Sequence, residues 1–227
     1  MMDRYDEEIQ FACQVQGVTE LVHFTPAQNL RSIFTHGLLP RKTLEQKGMP
    51  YQWTDPTRRD RRPECNCLSI SFPNSPMFCS RLHDHRGWSW VVLSIDPGVL
   101  RDMDEFCICN ASSEFERERD PMERRGAPGM WRMFQDVLIR GKYFRREDLR
   151  QLGLPECFPT HNQAEVLVTG SIAPEAIRRV SLANSRERDA LIGQPWAAPQ
   201  LAGVDVVIGP ELFGPRIDDS FWTARRA

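Results

Sequence analysis

The sequence predicts an α+β fold, and three observations carry that expectation. Short apolar segments of strand character outnumber the helical ones. They do not alternate with helices in the regular order of a doubly wound sheet. No Gly-x-Gly-x-x-Gly follows a strand, so any dinucleotide site is not of the Rossmann type.

Taken in order, the first element is a strand over 20–24, with Leu21, Val22 and Phe24 supplying its apolar character. Thr25-Pro26 then reads as a helix start, with Thr25 able to cap and Pro26 suited to the first turn. Leu30, Ile33 and Phe34 follow at helical spacing, and Gly37 closes the helix. Residues 40–66 read as an irregular loop, centred on the charged run Asp55-Pro56-Thr57-Arg58-Arg59-Asp60-Arg61-Arg62. Residues 67–72 alternate Leu68, Ile70 and Phe72 with small polar residues, as a half-buried strand does. Residues 90–95 form a near-continuous apolar strand and 106–109 a shorter one. The charged stretch 111–128 reads as a loop or frayed helix, and 130–139 has helical spacing through Met130, Phe134, Val137 and Leu138. After another charged stretch, 140–150, comes the strand 163–168. A turn or short helix over 174–177, a strand over 179–182, a helix over 185–192 and a strand over 204–208 complete the expectation.

At 227 residues the chain fits one large domain, or a domain with a modest C-terminal extension, and 41% hydrophobic residues can fill its core. A formal charge of −2 argues against non-specific coating of nucleic acid, while 29 Lys and Arg still allow a local basic groove. There is no internal repeat, no apolar run of transmembrane length, and no apolar signal segment behind the acidic start Asp3-Arg4-Tyr5-Asp6-Glu7-Glu8. Seven cysteines, an odd number, point to reduced thiols. The expectation is a cytoplasmic protein without a membrane partner.

Four features invite chemistry. In 163–168 the strand period puts Gln163, Glu165 and Leu167 on one face, opposite Ala164, Val166 and Val168. Glu165 is then either the acid of a cleft or an exposed edge residue. The arginines at 58, 59, 61 and 62 suit a pyrophosphate, or are a solvated charged loop. His23 and Thr25 share one strand face and either present polar groups to a ligand or are structural. Cys65-x-Cys67, His83-x-His85 and Cys107-x-Cys109 have the residue types for zinc but not the usual knuckle spacing, so no metal is expected.

The order of these features is more specific than any one of them. Leu21-Val22-His23-Phe24-Thr25-Pro26-Ala27-Gln28-Asn29-Leu30, Asp55-x-x-Arg58-x-Asp60 and Leu68-Ser69-Ile70-Ser71-Phe72-Pro73-Asn74 occur in sequence. Met77-Phe78, Asn110-Ala111-Ser112 and Gln163-Ala164-Glu165-Val166-Leu167-Val168 follow. The set resembles the DarT family of toxins, which ADP-ribosylate DNA bases, over residues 18–183; the tail Glu211-Leu212-Phe213-Gly214-Pro215-Arg216 also looks like the end of some members.

The resemblance implies an ADP-ribosyltransferase-like split pair of small, mainly antiparallel sheets, with peripheral helices around an NAD cleft. It implies a lead over 1–17, a transferase domain over 18–183 and a C-terminal extension over 184–227 packed on the same domain. His23, Phe24, Thr25, Asn29 and Ser32 would bind NAD as co-substrate, Arg58 would be the essential arginine, also touching NAD, and Glu165 the catalytic glutamate. The stretch 145–162 would recognise the substrate. Two departures leave points open: Arg61 competes with Arg58, and Thr160-His161-Asn162 replaces a threonine-rich approach to Glu165, which leaves the target base undecided. The expected partners are single-stranded DNA and a cognate antitoxin, the chain itself being a monomer; the alternatives are transfer to RNA or a protein side chain, or a non-catalytic module that binds NAD and nucleic acid. Basic residues over 140–150 with Tyr143 and Phe144 offer phosphate contacts and stacking, or are only an amphipathic surface.

Overall fold

The computed structural model of the protein describes residues 4–53 and 59–224. Its strands are β1 (Leu21–Pro26), β2 (Cys65–Ile70), β3 (Trp90–Ile95), β4 (Glu105–Cys107), β5 (Val137–Ile139), β6 (Lys142–Phe144), β7 (Glu165–Thr169), β8 (Ile177–Leu182) and β9 (Asp205–Ile208). Seven of them form one sheet in the order β4-β7-β2-β1-β3-β8-β9, and β5 and β6 form a separate hairpin. Only β8 and β9 run parallel.

The seam between β1 and β2 shapes the molecule. These strands pair only at Leu21 with Ile70 and Val22 with Ser69. By contrast β1 pairs with β3 along its whole length, and β2 with β7 over four positions. The sheet therefore divides into a three-stranded and a four-stranded half that part after Val22, which is the expected split pair of mainly antiparallel sheets. Leu21, Ile70, Leu93, Val166, Val168 and Val180 carry the main core. A smaller aromatic core of Phe78 and Trp90 with Phe24 lies beside the seam.

Several elements differ from the sequence expectation. Thr25 does not cap a helix: it pairs with Val91 inside β1, and Pro26 ends the strand where its missing N–H does no harm. The chain then makes a short 3-10 turn, Ala27–Asn29, and the helix Leu30–His36. Gly37 closes that helix at φ 89°, and a Cβ there would sit 2.5 Å from the Ile172 carbonyl oxygen. The expected loop at 40–66 contains a helix, Arg41–Gln46, braced by Arg41 and Glu45 one turn apart. A helix Ser75–Asp84, capped by Asn74, fills a stretch given no element from sequence. The charged run 111–128 holds the short helices Glu114–Glu118 and Pro121–Arg124, capped by Ser113 and Asp120.

Residues 130–139 are not one helix. The helix Gly126–Arg132 ends, and Val137 enters the β5–β6 hairpin. Arg140 and Gly141 both have positive φ, as a two-residue hairpin turn requires, and an arginine there leaves no turn signature in the sequence. Met130, Phe134 and Val137 are all buried nonetheless, so the apolar spacing is satisfied by a helix followed by a strand. The first residues also fold: helix Arg4–Val15 buries Ile9, Ala12 and Cys13 against the core. Among the described residues no helix is long and apolar enough to cross a membrane.

Candidate active site

Glu165 opens β7 on the face that the strand period assigned to it, while Ala164, Val166 and Val168 enter the main core. Its carboxylate is 5% exposed. Asn74 Nδ2 donates to Oε1 at 3.0 Å, and the Ala111 backbone N–H donates to Oε2 at 2.8 Å. Asn74 is fixed in turn: its N–H donates to Ser69 Oγ, and its own Oδ1 caps the following helix at Met77 N. A carboxylate held through both oxygens by donors from distant segments is firmly positioned. Its neighbours respond to the buried charge. The Cys107 thiol, in β4 directly opposite Glu165, is pushed well above its usual range by burial first, then by Glu116, with Glu165 and Glu105 adding to it.

The seam opens into one cleft lined by His23, Phe24, Thr25, Asn29, Ser32 and Glu165, which brings together six of the seven residues named from sequence. His23 Nδ1 lies 2.9 Å from the Cys67 carbonyl oxygen across the parting strands. A carbonyl only accepts, so Nδ1 carries the hydrogen, and in the neutral ring Nε2 is an acceptor. Phe24 stacks on Phe78, centroids 4.4 Å apart, and builds the aromatic wall with Trp90. Asn29 donates to Thr25 Oγ1 at 3.0 Å and to the Gln52 carbonyl at 2.8 Å, and accepts the Gln52 N–H at 2.8 Å. It thereby ties the segment 51–53 over the cleft, where Tyr51 and Trp53 join the lining. Arg41 lies 5.4 Å from the centre of the Trp53 ring.

Arg58, the seventh residue, lies outside the described residues, as does Asp55. Of the neighbouring arginines, Arg61 is exposed on a left-handed turn (φ 58°). Arg62 reaches back to Glu105 at 3.1 Å, which shares its other oxygen with the buried Arg124 at 2.9 Å. That pairing gives Arg62 a structural contact. Asp60 lines the cleft and accepts from Cys67 Sγ.

Of the cysteine pairs, Cys65, Cys107 and Cys109 are buried, while Cys67 is half-buried and lines the cleft. Cys65 and Cys107 pack with Leu167, and burial pushes the Cys109 thiol up to about 12. Among the described residues no three His, Cys, Asp or Glu side chains cluster as metal ligands.

Sequence reasoning missed Asn74 and the Ala111 N–H, although both stand in the quoted motifs. It also missed how the segment before Glu165 is held. Arg146, 5% exposed, donates to the carbonyls of Glu156 (2.7 Å) and Phe158 (2.9 Å) and to Thr160 Oγ1. Arg216, 4% exposed, donates to the carbonyls of Pro159 (2.9 Å) and Thr160 (3.0 Å). Asp218 neutralises Arg216 through two 2.6 Å contacts and accepts from Trp222 Nε1. Two guanidinium forks therefore clamp the backbone of 156–160, where only short turns would otherwise satisfy its carbonyls. Of the basic stretch 140–150, Arg146 is in this clamp, while Phe144 packs on Trp222 and lines a second cavity together with Arg140 and Lys142.

The structure is similar to Thermosipho africanus DarTG in complex with ADP-ribose, with a TM-score of 0.57 at 16% identity. That match covers 86% of this chain and 51% of the other, so the chain spans about half that protein's length. It is also similar to Thermus sp. 2.9 DarT in complex with ADP-ribosylated ssDNA, with a TM-score of 0.54 at 16% identity, covering 87% and 97% of the two chains. The same DarT in complex with carba-NAD+ gives a TM-score of 0.51 at 17% identity, covering 86% and 97%. At such identities these likenesses establish the fold. No curated protein matches the sequence. The family model described as "ssDNA thymidine ADP-ribosyltransferase, DarT" matches residues 22–195, most of the chain, and the protein therefore belongs to the DarT family.

Proposed function

We propose that this chain transfers ADP-ribose from NAD to a thymidine base of single-stranded DNA, with Glu165 as the catalytic carboxylate. The observation that carries the reading is the convergence of His23, Phe24, Thr25, Asn29, Ser32 and Glu165 on the cleft at the sheet seam. Family membership supplies the reaction class.

The cleft suits a dinucleotide. Its wall is aromatic, with Phe24, Trp90, Tyr51 and Trp53, and polar groups are set among the rings. In this reading the His23 Nε2 acceptor and the Thr25 hydroxyl orient the carboxamide of nicotinamide. Asn29 acts by holding 51–53 over the cofactor, and Arg58 bears on the pyrophosphate or on charge developing at the ribose. Breaking the ribose–nicotinamide bond sends its electron pair to nicotinamide and leaves positive charge on the sugar, which the Glu165 carboxylate stabilises. A base nitrogen then bonds to the anomeric carbon and gives its proton to Glu165. Fixing that carboxylate through Asn74 and Ala111 keeps positional error small.

The transferase unit in this reading spans 18–183, preceded by 1–17, with 184–227 packed upon it. The protein acts in the cytoplasm on exposed or extruded bases. A cognate antitoxin restrains it, a reading supported by the likeness to Thermosipho africanus DarTG. Incubation with labelled NAD and separate pools of single-stranded DNA, RNA and protein tests the proposal. Label in the DNA pool alone is the expected outcome. Label confined to RNA or protein would replace the substrate, and no nicotinamide release with any pool would refute the reaction.

A further inference from the structure

The C-terminal segment meets the active site at three places. The turn Pro210–Phe213 packs on the helix Ser75–Asp84, where the Phe213 and Phe78 ring centres lie 5.5 Å apart. Phe78 in turn carries Phe24, a wall of the cleft. The Arg216 backbone N–H donates to the Oγ of buried Ser75 at 3.4 Å, next in sequence to Asn74, which holds Glu165 Oε1. The Arg216 guanidinium reaches the carbonyls of Pro159 and Thr160, and Trp222 packs on His161 with ring centres 4.3 Å apart. Phe213, Arg216 and Trp222 all lie beyond residues 22–195, the part that the family model matches. Five successive carbonyls on the approach to Glu165 are each held by a side chain. Arg146 takes those of Glu156 and Phe158, Arg216 those of Pro159 and Thr160, and Ser71 Oγ donates to that of Cys157 at 3.0 Å. Ser71 does so from a left-handed backbone (φ 60°), a strain that persists where its surroundings over-determine it. A buried ion pair such as Arg216 with Asp218 is a poor source of stability, since apolar residues of like size often serve as well. What a planar fork supplies is direction, with several donors at fixed angles.

We propose that Arg216 is a positioning residue for the transfer reaction: it fixes the Asn74–Ser75 corner and the 156–160 approach against one another, and so holds the Glu165 carboxylate where it acts. The inference rests on the transfer reading above and deepens it. Arg216 does not line the cleft, so it works through these two segments. Its own N–H holds the first and its guanidinium the second. Glu165 takes its Oε1 donor from the first and enters its strand from the second. A displacement of about 1 Å at a reacting group costs about 10²-fold in rate even when its cause is remote. Asp218 aims the fork through two 2.6 Å contacts and fixes Trp222, so the three residues act as one strap that completes the site from outside the transferase unit.

The test is kcat at saturating NAD and single-stranded DNA, with NAD affinity and stoichiometry measured by calorimetry on the same samples. Arg216→Lys keeps a positive charge for Asp218 but has no fork, so it cannot hold both carbonyls and the carboxylate at fixed angles. Stoichiometry counts the folded protein. A merely structural role would lower it, together with the melting temperature, and leave kcat per NAD site at the wild-type value. The expected result is a kcat per NAD site reduced about tenfold or more, with NAD affinity and stoichiometry unchanged. Wild-type kcat per NAD site in Arg216→Lys overturns the proposal, whatever happens to its melting temperature. Should that variant bind no NAD, Asp218→Asn, which leaves the arginine in place and removes the charge that aims it, decides by the same criterion. A wild type that binds NAD but releases no nicotinamide with any acceptor would refute the transfer reading and the proposal with it, whereas wild-type transfer beside an unaffected Arg216→Lys refutes the proposal alone.

Discussion

Replacing Asn74 by Asp probes the setting of Glu165 with almost no change of shape. Asp caps a helix as well as Asn does, so the contact to Met77 N survives. What changes is the 3.0 Å contact to Glu165 Oε1, where an amide donor becomes a second carboxylate. Two charges at that distance repel by about 5 kcal/mol at an effective dielectric of about 20. The pair therefore holds one shared proton to a higher pH than a lone carboxylate would. Glu165 then carries that proton for part of the time, and only the remaining fraction of the protein holds it as a free carboxylate. Transfer should therefore slow at neutral pH and recover as the pH rises and the shared proton leaves. Because the folded variant holds a proton that the unfolded chain has released, its stability falls relative to wild type as pH rises above the ordinary carboxylate range. Asn74→Ala, which removes the donor without adding charge, should slow transfer and move the pH profile less than Asn74→Asp does. A rate–pH profile from pH 6 to 9.5 checks both variants. An Asn74→Asp enzyme with the wild-type rate and profile would show that Asn74 does not set the state of Glu165.

Three further outcomes follow from the same structure. Arg216→Met leaves Asp218 buried and unpaired and two loop carbonyls unheld, which should cost about 3–5 kcal/mol, or roughly 10 °C in melting temperature. A melting temperature within 2 °C or so of wild type would show that the fork is dispensable. Burial raises the carboxyl of Asp104 to about 6, against the N–H bonds from Thr169 and Arg101 that lower it. Its ionisation then opposes folding, so its contribution falls by about 3 kcal/mol between pH 4 and pH 6. Urea titrations of wild type and Asp104→Asn should diverge in that window, and parallel curves would refute the assignment. Gly37→Ala puts a Cβ 2.5 Å from the Ile172 carbonyl at positive φ, and should destabilise by about 1–3 kcal/mol in the same titration.

Local patterns in the sequence carried the strands that build the seam. The apolar run at 90–95 coincides with β3, and the period-2 reading of 163–168 put Glu165 and Leu167 on the correct face. Asn29 and Ser32 reached the cleft through the resemblance rather than through spacing. What stayed hidden was non-local. Asn74 and Ala111 meet Glu165 from 91 and 54 residues away, and nothing in either segment marks a carboxylate partner. The Arg216 fork closes on a loop more than 50 residues earlier and looks like an ordinary charge in the sequence. The β5–β6 turn was missed because Arg140 takes the left-handed conformation usually signalled by Gly or Asn.

Whether Glu165 drives transfer of ADP-ribose to a thymidine base can be read from the mass spectrum of one oligonucleotide. A single-stranded DNA containing one thymidine is incubated with NAD and either wild type or Glu165→Gln, with NAD binding measured alongside by calorimetry. Wild type should leave one ADP-ribose adduct on that thymidine, and the variant none while still binding NAD. An adduct formed by Glu165→Gln at the wild-type rate would remove Glu165 from the chemistry.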